Sequence, residues 1–428
     1  MTHTYSFYFN DTSGYLDQQC AVANNLYNQA LYIIKQQYEL NGTHISYPTM
    51  DKLMKTVPNL EGTINYRLLK SKVTQQVLIL LDKNYQSYFK SIQDYRKNPS
   101  KYKSQPKPPE FKKKGELDNL IYTNQACRIK DGLLFLSERG LVFSIPIPPY
   151  KGKDFKDFNQ VRVIPTKIKN RFRIQIMYEV KQEINTNLDH SEFSSIDLGI
   201  NNLVTLLLPN DRPLLIDGKE IKSYNQFYNK NKARLQSIKD LQGGKKGYTK
   251  QLYQIEHNRE NYINDSFHKI SRFLVNLLLD KQIGNLVIGY NEGWKDSINL
   301  GVKTNQKFCN IPHRRLIDMI GYKCEMVGIT LVLKEESHTS KTDHLAGEQM
   351  CHHDKYMGHR KYRGLFQSST GTTLNADVNG ALGIMRKHVT DDSYVSRIIA
   401  RGFLGNPERK KLSKLHVREI EVTNRLCD

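Results

Sequence analysis

Three acids occupy places from which a folded chain could turn them toward one another. Asp197 lies inside the apolar stretch "SSIDLGINNLVTLLL", Glu292 just past the apolar run "IGNLVIGYNE", and Asp377 in "LNADVNGALGI", which reads as the entry to a helix. Their wide separation in sequence is no obstacle, because strands that pair in one sheet bring their ends together. Three carboxylates without basic partners repel, and a divalent cation is the usual remedy. Two Mg²⁺ ions about 3.5 to 4 Å apart, held by such acids, activate a water and stabilise the leaving oxygen of a phosphodiester. Each acid also has a plainer role open to it. Asp197 can bond the amides of the turn in "IDLGINN", and Glu292 can be a loop acid before Gly293. Asp377 can stabilise the helix N-terminus by about 0.3 to 1 kcal/mol, a task Asn375 can share. Taken singly the plainer roles win; only the joint placement favours metal.

Elements of the right kind surround these acids. "MTHTYSFY" alternates like a short strand, and from about Leu16 "DQQCAVANNLYNQALYIIKQQYEL" reads as a long amphipathic helix. A second helix, expected from Ile64 to Ile92, puts Leu69, Val73, Val77, Leu80 and Leu81 on one face, followed by Tyr85 and Phe89. The segment Tyr95 to Gly115, "YRKNPSKYKSQPKPPEFKKKG", is an extended basic loop stiffened by prolines and punctuated by Tyr102 and Phe111. It reads equally as a solvated linker or as a contact that tracks a nucleic-acid backbone. Residues 116 to 182 return to β periodicity, clearest in "RFRIQIMYEV", which follows a hairpin turn at "KN"; with the N-terminal strand they suggest a barrel-like module. After Ser191 the pattern is α/β. Strands carry Asp197, "LVTLLL" and "RPLLID"; basic helices span about 223 to 241 and 250 to 279; a buried strand ends at Glu292; a helix opens at Pro312; and "ITLVLKEE" is a strand. An irregular segment, 337 to 373, precedes the helix of Asp377.

The 64 Lys and Arg outnumber the 43 Asp and Glu, leaving +21 spread along 428 residues, so the expected partner is a polyanion. The 25 tyrosines, interleaved with cations in "YRKNPSKYK" and "KYMGHRKYR", suit base stacking beside phosphate contacts, though any single one more often fills a half-buried position. With no apolar run of about 18 residues and no signal segment, nucleic acid is favoured over a membrane, and the expected compartment is the cytoplasm. The six cysteines are scattered with no close pair, which argues against a disulfide framework and a four-cysteine zinc module. The single tryptophan, Trp294, either packs beneath the site or stacks on a base or sugar.

"SSIDLGINNLVTL", "LVIGYNEGWK" and "NADVNGALGIMRK" resemble, in order, the three RuvC motifs of TnpB, a family of transposon-encoded RNA-guided DNA endonucleases related to the compact type V CRISPR effectors. The likeness extends to "KVTQQVLILLDKNYQSYF", to "NPSKYKSQPKPPEFKKKG" and to the stretch from "QKFCNIPHRRL" to "KEESHTSKTDHL". It implies an α/β RNase H-like (RuvC) nuclease domain at 191–336 and 374–390, and a β-barrel wedge at 1–9 and 116–190. It further implies a helical recognition lobe at 10–115, an insertion at 337–373 and a basic C-terminal tail at 391–428. The implied site is Asp197, Glu292 and Asp377 holding two Mg²⁺. The implied partners are a guide RNA from the transposon end and duplex target DNA bearing a short adjacent motif. Monomer and dimer stay open, and the setting is the bacterial cytoplasm, at the nucleoid when bound to DNA. Candidate nucleic-acid contacts are Lys101, Tyr102, Lys103, Lys112, Lys113, Lys114, Lys303, Arg360, Lys361 and Arg363.

The chain departs from many relatives in one respect. They carry two Cys-x-x-Cys zinc pairs between the second and third motifs, and ungapped placement sets these at Asp343 and Ala346 and at Gln367 and Thr370, none of them cysteine. His344, Cys351, His352, His353 and His359 do not form a regular zinc pattern, so the expectation is a metal-free lid whose "HRKYRGLFQSS" contacts nucleic acid. Nuclease-inactive RNA-guided repressors of the family lose one or more acids or truncate the last motif. All three acids remain here, which favours catalysis over that alternative; a transposase that joins DNA ends, or a transposase accessory protein, would share the metal-dependent chemistry but lacks other support.

Overall fold

A computed structural model of the chain describes residues 2–138, 141–149, 155, 157–180, 187–243, 249–291 and 311–416. Two compact units emerge, Met1–Lys181 and Gln182–Asp428.

In the first unit, the alternation of "RFRIQIMYE" makes strand β7 (Arg171–Glu179), which buries Phe172, Ile174, Ile176 and Tyr178 in turn. Asn170, at positive φ, turns the chain into it from β6 (Phe158–Pro165). The N-terminal strand β1 (Thr2–Asn10) pairs antiparallel with β7 along its whole length, and the sheet runs β1-β7-β6-β2, where β2 is Leu120–Thr123. Strands β3 (Cys127–Lys130), β4 (Leu133–Glu138) and β5 (Leu141–Pro146) form a separate antiparallel sheet, so the expected barrel is built here as two sheets. Helix α1 (Tyr15–Asn41) starts where Asp11 accepts from the Leu16 and Ser13 amides. A short α2 (Tyr47–Met54) follows, then α3 (Ser71–Lys97). The second long helix therefore begins seven residues later than its apolar period suggests. The Tyr66 hydroxyl donates to Asp51 of α2, and this tertiary bond holds residues 65–67 as a single 3₁₀ turn. Leu78, rather than Leu80, is buried on its inner face. Leu26, Leu31, Val77 and Leu81 of the helices share one core with Ile174 and Ile176.

The second unit is built on a six-stranded mixed sheet in the order β12-β11-β8-β9-β10-β16. Its members are β8 (Asp189–Asp197), β9 (Asn202–Leu207), β10 (Leu214–Asp217), β11 (Ile283–Gly289), β12 (Thr330–Lys334) and β16 (Glu408–Lys410). β9 and β11 are buried at every residue, as strands covered by helices on both faces must be. Phe267, Ile270 and Leu274 of α5 (Lys250–Asp280), with Leu316 and Ile320 of α6 (His313–Val327), pack on one set of strand residues that includes Leu286 and Ile288. Leu382 and Met385 of α7 (Ala376–His388) form a separate core with Leu207 and Leu215. Helix α4 (Lys219–Leu241) precedes α5. Between β12 and α7, three short strands, β13 (His359–Tyr362), β14 (Leu365–Gln367) and β15 (Thr373–Asn375), form an antiparallel sheet.

Residues 391–416 of the expected basic C-terminal tail are not simply a tail. α8 (Asp392–Ala400) follows α7, and β16 then joins the sheet edge parallel to β10. Apolar residues explain this: Val395, Ile398 and Leu404 complete the α7 core, and Leu412 joins the core on the other face.

Candidate active site

β8, β11 and β12 are parallel neighbours, so their carboxyl ends lie side by side: Ile288 is in register with Ile196, and Gly289 with Lys334. In open α/β sheets that edge is where ligands bind. Asp197 closes β8 there. Past the ends of β11 and β12 the pairing continues, with the Tyr290 amide donating to the Lys334 carbonyl at 2.8 Å and the Glu336 amide to the Asn291 side chain at 2.8 Å. Glu336 is thereby fixed on the same edge. Its carboxylate crosses the end of β11 at Gly289, where a β-carbon would stand 2.6 Å from Glu336 Oε1.

Asp377 comes from the other direction, as the second residue of α7. Asn375 caps that helix by accepting from the Asp377 amide at 2.9 Å, so capping and the Asp377 carboxylate are separate devices. The helix is laid against β8 by Ser195, whose hydroxyl donates to the Ala381 carbonyl at 2.7 Å. Ser195 and Asp197 share a face of β8, and Asp377 and Gly380 share a face of α7. A β-carbon at Gly380 would stand 2.5 Å from Asp197 Oδ2, so only glycine lets the carboxylate reach the first turn of the helix.

Asp197 is pushed well above the ordinary carboxylate range, first by burial and then by the charges of Glu336 and Asp377, with Arg360 opposing. Burial also raises Glu336, to about 7, against the pull of Lys387. Glu292 lies outside the described residues, as do Trp294 and Lys303. Among the described residues no three Asp, Glu, His or Cys side chains stand close enough to hold an ion by themselves. In kind, however, the donors fit a hard divalent cation: carboxylate oxygens of like charge, one of them strongly disfavoured as a lone anion. Glu336 is a site residue that sequence reasoning missed. It satisfies the criterion applied to Glu292, an acid just past the carboxyl end of a strand, but it follows Glu335 directly and the strand pattern runs through both.

The candidate nucleic-acid contacts divide. Lys101 and Tyr102 both bond Asp94, at 2.8 and 2.6 Å. Lys112 pairs with Asp118 and lies 4.0 Å over the Tyr27 ring, while Asn28 fixes its backbone at both the amide and the carbonyl. The bonds of these three hold the basic loop to α1 and α3. Lys103, Lys113 and Lys114 of the same loop are exposed, as are Arg360, Lys361 and Arg363 on and just after β13.

In the insertion, the Asp343 carboxylate is buried and accepts from the Ser368 hydroxyl, the Ser369 amide and hydroxyl, and the Ala346 amide. It ties together the two loops where the cysteine pairs were placed. His344, held near pKa 4 mainly by burial, uses both ring nitrogens, one toward the Thr339 carbonyl and one toward Arg386.

A family model described as a probable transposase (OrfB_IS605) matches residues 175–295, and one for the Cas12f1-like TNB domain matches residues 313–384. The TnpB-like protein ORF457 of Acidianus two-tailed virus is 27% identical over 207 residues, 46% of this chain; the chain spans 42% of that relative's length. Cas12f1, solved by cryo-EM with sgRNA and target DNA, shares the fold at a TM-score of 0.55 and 14% identity, over 88% of this chain and 83% of that one. The two models follow one another in the order of the motifs, and with the viral relative they make this chain similar to TnpB-family proteins, while the likeness to Cas12f1 shows the shared fold.

Proposed function

We propose that the chain is an RNA-guided DNA endonuclease whose carboxylates, at the carboxyl edge of the six-stranded sheet, cut DNA with Mg²⁺. The observation that carries this reading is that Asp197 reaches the first turn of the helix carrying Asp377, while Glu336 crosses the neighbouring strand end, so that the charges of both acids bear on Asp197. Hard oxygens of these residues and of Glu292 would hold two Mg²⁺, which in such a setting supply an activated water and neutralise charge on the phosphodiester. The protein's own contribution is placement. β8 aims Asp197, α7 aims Asp377 across it, and the β11–β12 pairing holds Glu336 in place.

A net charge of +21 suits the binding of an RNA scaffold and a heteroduplex. The sgRNA and target DNA in the Cas12f1 complex support partners of the same kind here. In this reading residues 1–181 supply the wedge and recognition lobe. Exposed Lys103, Lys113, Lys114, Arg360, Lys361 and Arg363, with Lys303, hold phosphates.

The test is to co-express the full chain with its own downstream flanking DNA, sequence the RNA that copurifies, and offer the complex a plasmid matching that RNA beside randomised flanks. Cutting that needs both the RNA and Mg²⁺ is expected. RNA-dependent binding without cutting selects a repressor, and a chain that copurifies with no RNA rejects the guided reading.

A further inference from the structure

A buried amide side chain contacts Asp377. Asn202, which opens β9 and is 6% exposed, donates from Nδ2 to Asp377 Oδ2 at 2.8 Å. Its own Oδ1 accepts from Arg409 Nη1 at 2.9 Å. Arg409 is on β16, opposite Leu215 of β10, and its Nη1 also stands 3.9 Å from the Asp217 carboxylate.

The chemistry of the three groups fixes the direction of this chain of bonds. A guanidinium only donates, so the amide must present its oxygen to Arg409, which leaves its NH₂ for Asp377. A carboxylate only accepts when ionised, so the amide rotation imposed by Arg409 is the one that suits a charged Asp377. The opposite rotation would face donor to donor at Arg409 and acceptor to acceptor at Asp377. One oxygen of Asp377 is thereby engaged and its rotation set, while the other is left for the site.

From this geometry we propose that Asn202 is a positioning residue for Asp377, and that Arg409, through Asn202, makes the C-terminal edge strand part of the nuclease site. The inference rests on the reading of Asp377 as a metal ligand. Outer-layer partners of this kind typically carry 10- to 100-fold in metal affinity or activity.

The test compares the wild-type full chain, Asn202→Ala, Arg409→Met, Arg409→Lys and the double variant Asn202→Ala/Arg409→Met. Each is measured for Mn²⁺ binding by electron paramagnetic resonance, for cutting of a matched plasmid with the copurified RNA, and for thermal midpoint. Asn202→Ala is expected to weaken Mn²⁺ binding and slow cutting, each by about 10- to 100-fold. Arg409→Met should shift both in the same direction by less, Arg409→Lys should recover most of that loss, and the double variant should equal Asn202→Ala alone. Because Arg409 is exposed on an edge strand, its variants should fold even if Asn202→Ala melts early. Losses that multiply in the double variant would overturn the proposal, since Arg409 would then act independently of Asn202. Unchanged Mn²⁺ binding in both single variants would overturn it as well. A wild-type chain that neither binds Mn²⁺ nor cuts rejects the parent reading, and the inference with it.

Discussion

The basic loop at 98–115 and the acidic edge of the six-stranded sheet are both concentrations of one charge, and the chain treats them in opposite ways. In the loop, cations that reach the protein surface find partners: Lys101 takes Asp94, and Lys112 takes Asp118 and the Tyr27 ring. At the sheet edge, Asp197 and Glu336 are left half-buried; burial pushes both carboxyls upward, and the charges of Glu336 and Asp377 push Asp197 further. Neutralised charge holds a structure together. Like charge brought together and left uncompensated costs stability, and it persists where a ligand of opposite sign supplies the compensation.

The largest effects should come from the sheet edge. Asp197→Ala should reduce cutting to background. Glu336→Gln should lower it by at least about 100-fold, beyond what outer-layer partners usually carry, whereas Glu335→Gln should leave it near wild type. In the metal-free chain neither of the first two should melt earlier, because each removes repulsion. A Glu336→Gln chain that cuts normally would return the third acid's role to Glu292 alone.

Next comes the loop. Lys112→Met should destabilise the chain by about 1 to 3 kcal/mol, the usual cost of leaving a buried partner such as Asp118 unpaired, as read by denaturant unfolding. The loss of one phosphate contact should show at Lys113 and Lys114 instead. Each Lys→Ala change there should leave stability unaltered and lower the salt slope of RNA binding by about 1. If Lys112→Met changed the salt slope and not the stability, the contrast between the two regions would fail.

The smallest effect concerns a buried charge away from the site. Lys323 donates to the His268 carbonyl at 2.9 Å and to Ser271 Oγ, and burial, helped by Arg272, lowers it to about 7. A folded pKa below the unfolded value of 10.5 means that stability is greatest above about 10.5 and falls as pH drops toward 7. Lys323→Met should therefore raise the thermal midpoint by a few degrees at pH 7, by roughly 2 to 4 °C for each kcal/mol, and the gain should shrink as pH rises. A gain constant with pH would assign the effect to packing.

Most of the architecture around the candidate site was legible. Period 2 gave β7 its inward face, apolar runs gave β9 and β11, and the cap and the acid at the start of α7 could be told apart because Asn375 and Asp377 are different residues with different reach. What was not legible depended on tertiary partners. The onset of α3 is set by Tyr66 bonding Asp51, which no local pattern records. Glu336 is selected over Glu335 by the pairing beyond β11 and β12, and the structural role of Lys112 depends on an aspartate six residues away and a ring on α1. The C-terminal strand was hidden by its charge, since "ERK" is basic and short, and only the sheet edge it joins makes it a strand.

The central question is whether the acidic edge takes up a divalent cation. The measurement is the thermal midpoint of the RNA-free full chain across a Mg²⁺ titration at neutral pH, beside the same titration of Asp197→Ala. A ligand that binds only the folded state stabilises it by about 2.7 kcal/mol at 100 times its dissociation constant. The wild-type midpoint should therefore climb with Mg²⁺ and the variant's should stay nearly flat. Parallel curves for the two proteins, rising or flat, would contradict uptake at this edge.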